Sequence, residues 1–296
     1  MSDTTGNSMT WLALALVLTA ALIHASWNFL LKKSGGGPGL ITAACLGSVV
    51  VYAPFVAGAA WVQHYGFRPV HLALMFTSGM IHTAYFLLLD RAYRSGGDLS
   101  IVYPLARATG PLLTIVVAVA VLGERPGPTA LAGAVLIVIS ALVLTGNPLT
   151  WHKSEARHAV GFALLTGFTI SMYTICDKAS VAAWLVPPLV YDWGCNFFRS
   201  LVLVPVTQKR WPGSIDKAWR ERRKTVIAIA VLSPLSYILV LTAMVFTPVS
   251  LVAPAREVSI LFAALMGAYF LKEGDLTRRL VAAAGMALGV AGLTVG

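Results

Sequence analysis

The sequence predicts an all-α polytopic membrane protein, with ten transmembrane helices arranged as two inverted five-helix repeats. Three observations predict it. The 296 residues are 57% hydrophobic and only 11% charged, with a mean hydropathy of +0.78, whereas a globular domain carries about 25% charged residues. The apolar residues fall in ten runs of helix length, and a bilayer-spanning helix needs about 20 of them. Polar landmarks of the first half recur at matching spacing in the second. The connections left between the runs are too short for a soluble domain of even ~50 residues. The 26 glycines show no Gly-x-y period, which excludes a collagenous chain, and the hydrophobicity excludes disorder.

The first run, roughly Thr10 to Leu31, is longer than a signal-peptide core and has no basic segment before it. Lys32 and Lys33 follow it, so it reads as a retained helix. Further runs lie at about 40–61, 70–89, 99–122, 127–146, 159–177, 182–206, 225–246, 249–271 and 279–296. The stretch from Thr225 to Leu271 holds two spans, with Thr247-Pro248-Val249-Ser250 as the turn between them. Its basic forerunner, Lys209 to Lys224, reads as a solvated cytoplasmic loop. Cys45, Cys176 and Cys195 form no CxxC pair, which argues against a disulfide framework or a zinc site.

The halves divide at 1–149 and 150–296. Leu99-Ser100-Ile101-Val102-Tyr103-Pro104-Leu105-Ala106-Arg107 echoes Val249-Ser250-Leu251-Val252-Ala253-Pro254-Ala255-Arg256. Arg107 precedes Glu124 by 17 residues, and Arg256 precedes Glu273 by 17. Trp27-Asn28 followed by Lys32 matches Tyr173-Thr174 followed by Lys178. Five helices per repeat is an odd number, so the two copies insert in opposite orientations.

Lysine and arginine orient the chain. The side holding the N-terminus carries Arg68, Arg125 and Lys178, while Arg107, Arg199 and Arg256 lie within runs and the remaining sixteen of the 22 sit on the other side. That basic side is expected in the cytoplasm, with both termini outside. The net charge of +10 and pI near 9.8 then mark loops facing anionic membrane lipid rather than a nucleic-acid surface.

Five charged residues lie well inside runs: Arg107, Asp192, Arg199, Arg256 and Glu257. Each costs about 2.5–3.5 kcal/mol at a helix centre, so each is expected to face the bundle interior or water. Neighbouring residues diverge by about 100° on a helix, so Arg256 and Glu257 do not neutralise each other. Glu257 answers a cation on another helix, Arg107 first among them. Asp192 and Arg199 share one face. Lys32, Lys33, Asp177 and Lys178 close their helices and read as snorkelling interface residues. Pro104 and Pro254 precede the two arginines inside spans, where each invites a helix bend. Aromatic and polar groups recur at similar depth: His24, Trp27, Asn28, His82, Tyr85, Tyr103, Tyr173, Thr174, Ser236 and Tyr237. Together they outline a cavity for an anionic or zwitterionic metabolite with an apolar part. Gly285, Gly289, Gly292 and Gly296 give two GxxxG spacings for close packing, within the protein or in a dimer.

At these residues the sequence resembles the drug/metabolite transporter superfamily, in its ten-helix EamA-type branch. The resemblance rests on HASWNFLLKK at 24–33, GDLSIVYPLAR at 97–107 with GE at 123–124, YTICDK at 173–178, and VSLVAPAR at 249–256 with KE at 272–273. It implies a multi-pass protein of a bacterial inner membrane that exports amino acids or related metabolites by alternating access. By position it draws His82, Tyr85, Tyr103 and Tyr173 into the substrate cavity. No Walker A motif is present, so a gradient or substrate exchange supplies the energy. Glu257, Asp192, His24 and His82 are the titratable coupling candidates. Carriers of phosphorylated metabolites, nucleotide sugars or drugs share such a fold. An intramembrane enzyme or a lipid scramblase is the reading from another class, and neither HExxH nor GxSxG supports the enzyme. The expectation is therefore a monomeric or homodimeric carrier with a small-molecule substrate, no cofactor, no metal and no nucleic-acid partner.

Overall fold

The computed structural model describes residues 8–94, 99–145, 156–271 and 276–295. They form α1 (Trp11–Lys33), α2 (Pro38–Val62), α3 (Pro69–Arg94), α4 (Leu99–Ala120) and α5 (Pro128–Thr145), then α6 (Ala156–Lys178), α7 (Pro188–Arg210), α8 (Ser214–Phe246), α9 (Val249–Ala255), α10 (Val258–Leu271) and α11 (Leu276–Val295). No strand occurs among the described residues. The ninth span is broken into α9 and α10, so eleven helices make ten spans, in two repeats of five. Seven spans are long and apolar enough to cross a membrane on those criteria alone, and Leu105–Ala120 and Pro128–Val143 are shorter apolar helices. The tenth, α7, is the one that carries Asp192, Asn196 and Arg199.

Local sequence sets the helix ends. Thr10 caps α1 by accepting the Ala13 N–H at 3.3 Å. Proline opens α2, α3, α5 and α7, where its missing N–H is no loss. The turn after α1 runs through Gly35, Gly36 and Gly37, all at positive φ, a region glycine enters without strain. α6 continues as a π-turn over Ala179–Ala183, which delays α7 to Pro188 rather than the start near 182 that apolarity suggested. The basic stretch Lys209–Lys224 is not a loop. α7 continues to Arg210, and α8 starts at Ser214 with a kink at Arg222. Lysine, arginine and glutamate are good helix formers, and this lead-in buries Ala218 beside Leu40 and Val226.

The repeats interleave rather than stand side by side. α1 packs on α8 as α6 packs on α3; α2 packs on α8 as α7 packs on α3; α1 meets α10 as α6 meets α4. α2 with α7, and α5 with α11, pair across the symmetry axis. The α5–α11 seam is built from glycine. A Cβ on Gly289 would stand 2.6 Å from Ile137 and 2.7 Å from the Gly133 carbonyl, and one on Gly292 would stand 3.0 Å from Gly133 Cα. The GxxxG face is thus used inside the protein.

The largest core cluster fills the half of the bundle away from the basic connections, with Val17, Met75, Tyr191, Leu241, Met244, Leu251 and Val252 all but solvent-free. Its floor is the α8–α9 turn. Lys178 Nζ donates to the carbonyls of Met244 and Thr247, at 2.7 and 3.0 Å. Glu124 accepts the N–H groups of Val249 and Ser250 at 2.8 and 2.9 Å, two of the donors a helix start leaves open. Lys178 is therefore a helix tie and not a snorkelling residue.

Candidate functional site

The other half of the bundle holds a cavity of about 450 Å³, within the range of small-molecule sites. The C-terminal halves of α1 and α3, the N-terminal half of α2 and the middles of α7 and α8 wall it, so it faces the end that carries Lys32, Lys33 and Arg91. His24, Trp27, Asn28, His82, Tyr85, Arg107, Tyr173, Tyr237, Arg256, Asp192 and Arg199 line it. Thr174 does not. It is buried, and its hydroxyl donates to the Ile170 carbonyl at 2.7 Å. A β-branched polar residue can satisfy itself on its own helix this way. Pro254 is buried within α9. The Tyr103 and Pro104 side chains lie outside the described ones.

The deep end of the cavity is cationic. Arg107, from α4, meets Glu257 across the repeats, with Nε 3.0 Å from Oε2. Neither atom makes an aligned hydrogen bond there, so the contact is ionic, and Nη2 of Arg107 reaches Ser259 Oγ at 3.2 Å. Glu257 is buried beside the cavity and not in its wall. Arg256 projects to the wall, its guanidinium 5.1 Å from the Tyr237 ring centre. Arg256 has no carboxylate within ion-pair distance among the described residues. A pocket of about 20 Å³ between His24, Arg107, Arg256, Ser236 and Ser259 has room for one water.

The α7 wall is a relay. Asn196 Nδ2 donates to Asp192 Oδ2 at 2.8 Å, and Asn196 Oδ1 accepts from Arg199 Nη2. Arg199 also donates from Nε to Cys45 Sγ at 3.3 Å and lies 5.7 Å from the Phe86 ring centre. The charges of Asp192 and Arg199 are thereby joined through a neutral amide. Sequence reasoning missed Asn196, although its spacing of four from Asp192 and three from Arg199 was a usable signal. It also missed Cys45, Ser48 and Ser233, small residues with nothing to mark them. The aromatic wall is stacked: His82 on Tyr173 at 3.9 Å between centroids, Tyr237 edge-on to His82 at 5.7 Å, and Trp27 edge-on to His24 at 5.0 Å. Trp27 Nε1 is a buried donor with no partner among the described residues, available to a ligand acceptor.

Asp177 is the largest departure from expectation. It is no interface residue: it is fully buried, and accepts from Ser78 Oγ at 2.6 Å, from Tyr191 at 2.8 Å and from Tyr237. The π-turn that follows α6 carries the chain on past it, so the residue lies inside a helical run and not at its exposed end.

The model of the EamA-like transporter family matches residues 11–146 and again 157–295. The chain belongs to that family. It is thus a multi-pass membrane transporter, and the two matches fall on the two repeats. A solved crystal structure of a protein at 16% identity superposes with a TM-score of 0.74, over 96% of this chain and 97% of that one. That likeness is one of fold. No curated protein matches the sequence. In this EamA-like chain no cluster of three or more His, Cys, Asp or Glu able to hold a metal occurs among the described residues.

Proposed function

We propose that the protein is a secondary carrier that exports amino acids or related small metabolites by alternating access. The observation that carries this reading is Arg256, a cavity arginine with no carboxylate partner among the described residues, seated on Tyr237. Arg107 is occupied by Glu257 and Arg199 by the Asn196 relay, which leaves Arg256 to receive a substrate carboxylate. Asp192 lines the same cavity and offers a negative pole for an ammonium group. Trp27, Tyr85 and Tyr103 would contact the apolar part. The repeats divide near residues 149 and 150, the basic side lies in the cytoplasm of a bacterial cell, and the carrier works as a monomer or homodimer.

Counterflow of labelled amino acids into proteoliposomes tests this. The wild-type protein is expected to exchange at least one amino acid, and Arg256→Gln to lose that exchange. Wild-type exchange of phosphorylated metabolites instead would move the substrate to the anionic class, which the surplus of cavity arginines also suits. Exchange untouched by Arg256→Gln would remove Arg256 from the site.

A further inference from the structure

Asp177 has a place in the molecule that substrate binding does not explain. A buried ionised carboxylate is normally held by a cation or coordinates a metal. Among the described residues this one has no cation within ion-pair distance and no metal cluster, and three hydroxyl groups point at it from three other helices: Ser78 on α3, Tyr191 on α7 and Tyr237 on α8. The hydroxyls lie at hydrogen-bond length from the carboxylate oxygens. The carboxylate also connects to the cavity along two routes. Tyr237 lines the cavity itself. His82, another lining residue, has Nδ1 3.0 Å from the Ser78 carbonyl and 3.2 Å from Ser78 Oγ, a shared contact, and that hydroxyl is in turn 2.6 Å from Asp177 Oδ1.

We propose that Asp177 is a proton-binding site, loaded from the cavity through His82 and Ser78. A proton from cavity water binds His82 Nε2, His82 Nδ1 gives its proton to Ser78 Oγ, and Ser78 gives its own to Asp177 Oδ1. Each step makes one bond to hydrogen and breaks one, and no other reactant is needed. Loading has a structural consequence. An ionised carboxylate only accepts, whereas the acid carries one donor of its own, so the Ser78 bond reverses: Oδ1–H now donates to Ser78 Oγ, and Ser78 donates to His82 Nδ1. Tyr237 stands alone on Oδ2 and carries the contact to Arg256. Loading on Oδ1 leaves that Oδ2 contact, and with it the ring on which Arg256 rests, in place.

The charged and titratable groups around Asp177 are known from each side. α3 contributes His82; α6 contributes Tyr173, Cys176 and Lys178. α7 contributes Tyr191, Cys195 and Asp192. Tyr237 stands on α8, and Arg256, between α9 and α10, acts across it from beyond ion-pair distance. None of these forms an ion pair with Asp177 among the described residues.

Infrared difference spectroscopy of the protein in lipid, between about pH 5 and about pH 9, reads carboxyl protonation without any substrate. The wild type is expected to show the carbonyl stretch of a protonated acid at the acidic end, moving down in frequency in heavy water. Asp177→Asn loses that band; bands that survive belong to Asp192 or Glu257. Ser78→Ala removes one hydrogen bond and keeps the other two, and it moves the band to higher frequency, which covers the case in which Asp177→Asn does not fold. Identical difference spectra in wild type and both variants would overturn the proposal. So would a band that answers to sodium at constant pH. That the bound proton is the coupling ion rests on the carrier reading above, whereas the protonation does not. A wild-type band without any exchange sinks only the carrier, and exchange without the band sinks only the proton site.

Discussion

At the scale of single residues the Arg107–Glu257 pair carries the sharpest energetic consequence. Its side chains are 12% and 6% exposed, and removing one partner of such a pair costs about 3–5 kcal/mol because the other charge stays buried alone. Thermal unfolding in detergent is expected to drop sharply for Arg107→Gln and for Glu257→Gln. The double variant Arg107→Met with Glu257→Leu should recover most of the loss. Equal losses in singles and double would mean the pair is not what is being broken. The same logic makes Arg256 the cleaner probe of the proposed substrate site, since among the described residues no carboxylate lies within ion-pair distance of it. Much of this was legible: charged residues inside apolar runs are rare, and the ~100° step between Arg256 and Glu257 already sends the two to different faces. Asp177 was not legible. Next to Lys178, at the end of an apolar run, it has the look of a helix terminus, and only the π-turn and the approach of α3, α7 and α8 bury it.

At the scale of elements, the two copies of the proline-containing helix differ by one residue. Pro104 precedes Glu124 by 20 residues, whereas Pro254 precedes Glu273 by 19. One residue fewer is about 100° of helical twist, and the second copy absorbs it by breaking at Arg256–Glu257. There the N–H groups of Glu257, Ser259 and Ile260 bond three residues back rather than four, the tighter 3₁₀ pattern. Counted from the prolines, Arg107 and Glu257 are equivalent positions, each three residues on, so the pair joins symmetry mates. Counted from the glutamates, Arg107 matches Arg256. The sequence holds both registers, and the contact is seen only once the helices are packed. Two element-scale outcomes follow. Gly289→Ala drives a methyl group toward Ile137 and Gly133 and is expected to lower stability by about 1–3 kcal/mol; Gly58→Ala, which meets nothing within 4 Å, should be neutral or better. Glu124→Ala uncovers two N–H groups of α9, and hydrogen exchange of Val249 and Ser250 should quicken while that of α2 stays unchanged.

At the scale of the whole molecule, one half is open around a cavity and the other is packed. With the native cysteines replaced, Ile41→Cys at the cavity wall should react with a charged maleimide, and Val252→Cys in the packed half should not. Substrate that drives the opposite state should reverse the pair. A phosphatase joined after Gly296 should be active outside the cytoplasm if the lysine and arginine count orients the chain correctly. Apolar run lengths gave the helix number, because bilayer thickness fixes helix length, and the recurring polar landmarks gave the repeats; neither could give the interleaving, which depends on small residues meeting across sequence distances of well over a hundred. That interleaving bears on how the protein is made. α5 finds its glycine seam on α11, and α1 its main partners on α8 and α10, so the first five helices leave the ribosome before the surfaces that complete them exist. A chain stopped after its first five helices would lack Glu257 for Arg107 and the α11 glycines for Gly133, so its packing can be completed only once the second half is made.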